Sequence, residues 1–132
     1  MSDDFEFLRT RLPGYLGYAD EEARHDSDMR VRAFVGERLS DARDRLGDLD
    51  DATRTLLDAV MLRCMFTDQV FVKKFEHAEL GEAMLAALVR SDRSLVDAGV
   101  ALETVSAPHA SGVLHAIDEQ LDYRRAPEPL PS

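Results

Sequence analysis

Leu56-Leu57-Asp58-Ala59-Val60-Met61-Leu62-Arg63-Cys64-Met65-Phe66 is the most apolar stretch of the chain, with only Asp58 and Arg63 charged. Followed as far as Phe75, the apolar residues mark two helical faces. Leu56, Val60 and Val70 share one, and Leu57, Met61, Cys64, Met65, Phe71 and Phe75 share the other. A helix with two apolar faces needs partners on two sides. Segment 56–75 is therefore expected at the centre of an all-α, antiparallel four-helix bundle preceded by a short N-terminal helix.

Backwards from this stretch, Gly47 is expected to cap one helix, and Asp48 or Asp50 to open the next. So short a connection predicts an antiparallel hairpin. The helix before it is predicted over 20–46, with Ser27, Val31, Phe34, Val35, Leu39, Ala42 and Leu46 at three- and four-residue steps. Asp20/Arg24, Asp26/Arg30, Asp28/Arg32 and Asp41/Arg45 all place the acid four residues before the base, an arrangement expected to solvate the outer faces. Gly36, off the main stripe, suggests a close neighbour or a bend. At the start of the chain Asp3 and Glu6 fit a capping box, and Phe5, Leu8 and Leu12 follow at helical spacing until Pro13-Gly14 stops the turn.

Forwards, one unbroken helix to Val105 would be roughly 80 Å long, far beyond a compact domain of this length. A break is expected at 76–78, because Leu80, Met84, Ala87, Leu88, Leu95, Ala98, Leu102 and Val105 form one stripe afterwards. Ser91–Ser94 is the competing position. The last helix is predicted from Pro108 onward, with Val113, Leu114, Ile117 and Leu121 forming a narrow stripe that places it on the outside. Residues 1–125 read as one domain, and 126–132, alternating proline with other residues, as an extended tail.

The chain of 132 residues carries a formal charge of −10, shared as −3 over 1–47, −1 over 48–75 and −6 over 76–132. Such a field repels nucleic-acid phosphates and acidic lipid headgroups, and no basic patch offsets it. No apolar run reaches the roughly 20 residues of a membrane span, and the acidic Met-Ser-Asp-Asp start does not resemble a secretory leader. Neither nucleic acid nor membrane insertion is expected, and the cytoplasm is the expected compartment. Cys64, the single cysteine, excludes an intrachain disulfide and reads as a buried, inert thiol.

Between the first two helices, Pro13-Gly14-Tyr15-Leu16-Gly17-Tyr18 combines two permissive glycines with two amphipathic rings. Tyr15 and Tyr18 are expected to divide the work, one sealing the end of the bundle and the other contacting a partner. This loop, followed by Glu22, Arg24, Asp28 and Arg32, resembles the opening of uncharacterised bacterial helical proteins in which a GYxGY loop leads into an Arg- and Asp-rich helix. That group tends to be basic just after the loop, where this chain has Asp20 and Glu21. The resemblance brings no activity with it.

Three chemistries can be set against plain structure. Glu22 and His25 have the ExxH spacing of di-iron bundles, but no second ExxH occurs, and His109 and His115 do not share a face closely enough to act together. Asp48-Leu49-Asp50-Asp51 lacks the glycine and terminal glutamate of a calcium loop, and helix capping accounts for it. His77, with Gly81 four residues on, resembles the histidine phosphotransfer domains. The lysine those domains place three residues after the histidine is Leu80 here, and Glu76 and Glu79 would repel a phosphoryl group. No nucleophile motif, phosphate loop or cofactor motif is present. The reading is a non-catalytic protein-interaction or assembly module, binding a protein partner or itself. A phosphotransfer module centred on His77 is the first alternative, and a carboxylate-histidine metal bundle the second.

Overall fold

A computed structural model describes residues 3–65, 75 and 77–125. Among the described residues, five α-helices have defined bounds: α1 (Asp3–Arg11), α2 (Arg24–Arg45), α3 (Asp51–Met65), α4 (Glu82–Leu102) and α5 (Ala107–Arg125), with a 3-10 turn at Glu21–Ala23 leading into α2. No strand occurs among the described residues. The expected all-α bundle with a short N-terminal helix is the architecture observed.

Cross-links between helices give the directions. Arg43 meets Asp58, and Cys64 lies against Gly36, so α2 and α3 are antiparallel. Phe34 lies against Gly99, and Arg45 donates to the carbonyls of Leu102 and Val105, so α2 and α4 run the same way. The short link 103–106 folds α5 back along α4, and Ser91 of α4 donates to Gln120 of α5. The bundle is thus two antiparallel hairpins side by side, α2 beside α4 and α3 beside α5, with α1 laid across α4.

The local signals worked at most ends. Asp50 opens α3 by accepting from the Thr53 amide at 2.7 Å. That amide, and then the Thr53 hydroxyl, hold the exposed Asp50 carboxyl below its ordinary value. The folded-state pKa is depressed, so this cap acts fully above the ordinary aspartate range and is lost as pH falls through the lowered value. Pro108 sits in the first turn of α5, where no amide donor is needed. Gly47 is a correction: α2 is capped at Leu46, whose amide reaches Ala42, and Gly47 is not left-handed. Gly36 owes its place to Cys64 on the neighbouring helix.

The preferred break was the right one. Residues 77–81 are irregular, Gly81 precedes the first turn of α4, and the helix runs unbroken through Ser91–Ser94. Phe66, Val70 and Phe71, and the tail expected at 126–132, lie outside the described residues.

The main correction concerns the centre. α3 has partners on two sides, α2 and α5, and buries Thr53, Leu57, Val60 and Cys64 with Leu56 and Met61 partly covered, but Leu62 and Met65 are 53% and 61% exposed. The central helix is α4, which packs on α1, α2 and α5 and buries Ala87, Leu88, Leu95, Val96, Gly99 and Leu102. Polar residues within α4 disguise this in sequence, because Ser91 and Asp92 are also buried there. α5 covers the core from outside with Ala110, Leu114, Ile117 and Leu121; Val113, expected on that stripe, is only half-buried and Ala110 takes the inner position.

Truncating Leu88 to Ala should therefore cost about 2–5 kcal/mol through lost burial and a residual cavity. Leu62→Ala should stay within about 0.5 kcal/mol, as for an ordinary surface change. Urea unfolding of the two variants checks the order, and equal losses would return α3 to the centre.

Candidate functional site

The end of the bundle nearest the Gly14–Tyr18 loop holds a buried polar layer, and its construction starts with the loop backbone. Gly14 and Gly17 adopt φ of +89° and +74°, which other residues resist. A side chain at Gly17 would in addition meet the Phe5 ring at 2.8 Å. These two turns carry both tyrosines inward, each 1% exposed. Tyr15 donates its hydroxyl to Asp92 Oδ2 at 2.7 Å and packs against Phe5 at 5.7 Å between ring centres. The expected division of labour is corrected, since neither ring is available to a partner. Leu16 between them, 60% exposed, is the loop's outward residue.

α2 supplies the rest of the layer. Arg24 is buried and forks across three carbonyls: Nε donates to Tyr18 at 2.8 Å, and Nη1 donates to Phe75 at 2.8 Å and Ala78 at 2.6 Å. Ser27 donates to the Gly17 carbonyl at 2.7 Å. One turn on, Asp28 and Arg32 form an ion pair at 3.0 Å with both side chains inside the protein, and Arg32 also donates to the Arg63 carbonyl of α3. Of the acid–base pairs expected to solvate α2, Asp26 and Arg30 are exposed and paired, and Asp41 and Arg45 are exposed with Arg45 turned to carbonyls at the end of α4, whereas Arg24, Asp28 and Arg32 are buried. Arg30 also donates to the Pro13 carbonyl and lies where a side chain at Gly14 would project.

Chemically, this layer is an anchor. Its hydrogen bonds join the loop, α2, α3, α4 and the residues leading into α4, and its ionic groups face one another, backbone carbonyls or, for Asp92, the Tyr15 hydroxyl. A buried pair of this kind is costly to desolvate and costly to break, so it specifies one arrangement more than it adds stability.

The other sequence candidates are scattered. His77 is 83% exposed and sits in a bend five residues before α4, where Nδ1 and Glu21 Oε1 lie 2.9 Å apart. Gly81 is the residue before the first turn of α4, and nothing approaches the side it leaves open. The two therefore do not occupy successive turns of one helix, and the spacing that suggested phosphotransfer has no helix to act through. Glu22 is exposed in the 3-10 turn and His25 half-buried in α2. No group of three or more histidine, cysteine or acidic residues suited to a metal ion occurs among the described residues. Glu76 lies outside them. No described helix is long and apolar enough to cross a membrane.

The feature that sequence reasoning missed lies on the outside of α3. Ala52, Thr55, Ala59, Leu62 and Met65 are all exposed and none is charged. Their steps of three and four put them on one side of the helix, which Asp51 and Asp58 share, Asp58 falling three residues after Thr55 and four before Leu62. The signal was present in the spacing, but it was absorbed into the assumption that every apolar residue of this segment points inward. Of the charges on and beside this face, Asp58 meets Arg43 in a half-exposed pair, and Arg63 is held by Asp118 at 2.6 Å and Asp122 at 2.9 Å.

Comparison with protein families, with curated proteins and with solved structures gives no match.

Replacing Arg24 by Lys keeps the charge and loses the fork. It should cost at least about 1.5–3 kcal/mol, the worth of one charge-assisted hydrogen bond. Tyr15→Phe should cost a similar amount, while Arg9→Ala, at an exposed pair, should stay within about 0.5 kcal/mol. Thermal melts decide, and an Arg24→Lys variant that melted with the parent would remove the anchoring role.

Proposed function

We propose that the protein is a non-catalytic helical assembly module that associates with a second copy of itself along the outer face of α3. The observation that carries this reading is the run of exposed, uncharged residues Ala52, Thr55, Ala59, Leu62 and Met65, sharing its side of α3 with Asp51 and Asp58, in a chain in which 32% of residues are charged. Isolated exposed leucines are ordinary, but uncharged exposed residues repeated at steps of three and four are the spacing by which helices pack together. Ala52 and Ala59 leave room for a second backbone, and Leu62 and Met65 supply the apolar contact.

Charge favours a copy at this face over any other. Two chains of −10 repel, and the repulsion is weakest where each is most nearly neutral. Residues 48–75 have a net charge of −1, against −6 over 76–132. Asp58 and Arg63 are already paired within the chain, and Asp51, the first residue of α3, falls at the end of the seam, so two such faces can meet without an unpaired charge at the centre. The fifteen residues of α3 give a seam about 22 Å long at 1.5 Å per residue, small enough for a reversible dimer. Interaction rather than catalysis also fits the buried polar layer, whose ionic groups are turned to internal contacts.

Sedimentation equilibrium of the purified chain should show a concentration-dependent dimer that strengthens with salt as the repulsion is screened. Leu62→Glu and Met65→Glu should each weaken it by about tenfold or more while leaving the melt of the dilute protein unchanged. A chain monomeric at every concentration and salt, or a dimer indifferent to both substitutions, would sink the proposal.

A further inference from the structure

On the opposite hairpin, α4 and α5 diverge around a cleft of about 250 Å³ lined by Ala87, Arg90, Ser91, Ser94, Gln120 and Tyr123. Its chemistry is one-sided. Arg90, the Ser94 hydroxyl, the Gln120 amide and the Tyr123 hydroxyl can all donate, and the lining contains no carboxylate. The other clefts described on this protein are lined in part by acids, among them Glu21 and Glu22, Glu37 and Asp41, or Glu21 and Glu79.

The acids near this cleft are committed elsewhere. On α5, Asp118 and Asp122 are drawn to Arg63 on the α3 side. On α4, Asp92 is buried towards Tyr15 on the α1 side, and Asp97 lies against Arg93. Glu119 is exposed beside Gln120 but does not line the cleft. Every other arginine with a described side chain lies against a carboxylate, a carbonyl or an aromatic ring. Arg90 has no such partner among the described residues.

One lining residue is already oriented. The buried Ser91 hydroxyl donates to Gln120 Oε1 at 3.0 Å, which occupies the acceptor end of that amide and leaves its N–H₂ end as the free function. From this arrangement we infer that the α4–α5 cleft is a binding site for a small oxyanion, a carboxylate or phosphate group, held by the Arg90 fork and by Ser94, Gln120 and Tyr123. The guanidinium supplies two parallel donors to a planar or tetrahedral oxyanion, the neutral donors fix its position, and the Tyr123 ring gives a flat wall for whatever carries the group. The volume, at the lower edge of ordinary ligand pockets, limits the bound part to a small molecule or a headgroup. This site is independent of the α3 face.

Amide-resolved NMR titration of the full chain tests it with three probes, inorganic phosphate, acetate and benzoate, at constant ionic strength set with chloride. Saturable shifts should be confined to residues 87–94 and 117–123 with at least one probe. Response to phosphate alone or to the carboxylates alone identifies which group the site prefers. Arg90→Gln, an exposed change that should leave the melt in place, should weaken binding by about tenfold or more, and Gln120→Glu should abolish it by placing a carboxylate in the cleft. Arg43→Gln, far from the cleft, should bind as the parent does. Absence of saturable local shifts with all three probes, or identical titrations of the parent and Arg90→Gln, would overturn the assignment.

Discussion

The buried guanidinium of Arg24 fixes more of this structure than any apolar contact. Three backbone carbonyls, from Tyr18 and Phe75 in buried hydrogen bonds and from Ala78 in a part-buried one, converge on one planar side chain that donates to all three. Lysine could not span them from a single point charge, and an apolar residue would leave them desolvated. The consequence is positional. Loop 13–18 is held to α2, and so is the chain leading into α4, which sets where the central helix starts and where Asp92 meets Tyr15. With α4 fixed, α1 closes across it through Arg93, which meets Asp4 at 3.1 Å and lies 4.3 Å from the centre of the Phe7 ring.

Arginine plays the same part at the other end. Arg45 donates to the carbonyls of Leu102 and Val105, where α4 runs out of amide partners, so the last turn of the central helix is capped from α2. Arg24 and Arg45 together hold α4 to α2 near both of its ends. That pairing explains why two helices running in the same direction stay side by side without a short connection. Gly99 adds the close approach, since a side chain there would meet Phe34 at 3.2 Å.

The helical class, the α2–α3 hairpin, the break before α4 and the proline at the start of α5 were legible because each rests on local chemistry: period, caps and turn residues. The buried polar layer was not, and the reason is specific. An acid four residues before a base supports an isolated helix, so Asp28 and Arg32 read as a solvated pair. Yet Arg24, Asp28, Val31, Val35, Leu39, Ala42 and Leu46 fall at steps of three and four and belong to one stripe, and extending the apolar pattern backwards would have placed both charges inside. α4 repeats the lesson, with Ser91 and Asp92 falling between Leu88 and Leu95 on its buried face. In both helices position along the stripe outweighed residue type. What no stripe could supply was the identity of the partners, Tyr15 and Gln120, which come from elsewhere in the chain.

The same substitution of polar for apolar contact bears on the surface. A bundle held at its ends by buried hydrogen bonds does not need every apolar residue of its richest segment in the core, and α3 can turn Leu62 and Met65 outward while keeping Leu57, Val60 and Cys64 inside. Exposing that face has a cost in water, which evolution would ordinarily remove with a lysine or a glutamate. The charged residues nearby are instead paired within the chain, Asp58 to Arg43 in a half-exposed pair and Arg63 to α5, so the segment stays close to neutral in a molecule that is otherwise strongly acidic. On the α4 side, Arg63 holds Asp118 and Asp122 towards α3, and no carboxylate lines the cleft beside Arg90. Both unusual surfaces, one nearly neutral and one with an unmatched cation, lie on a chain that uses arginine as an internal tie.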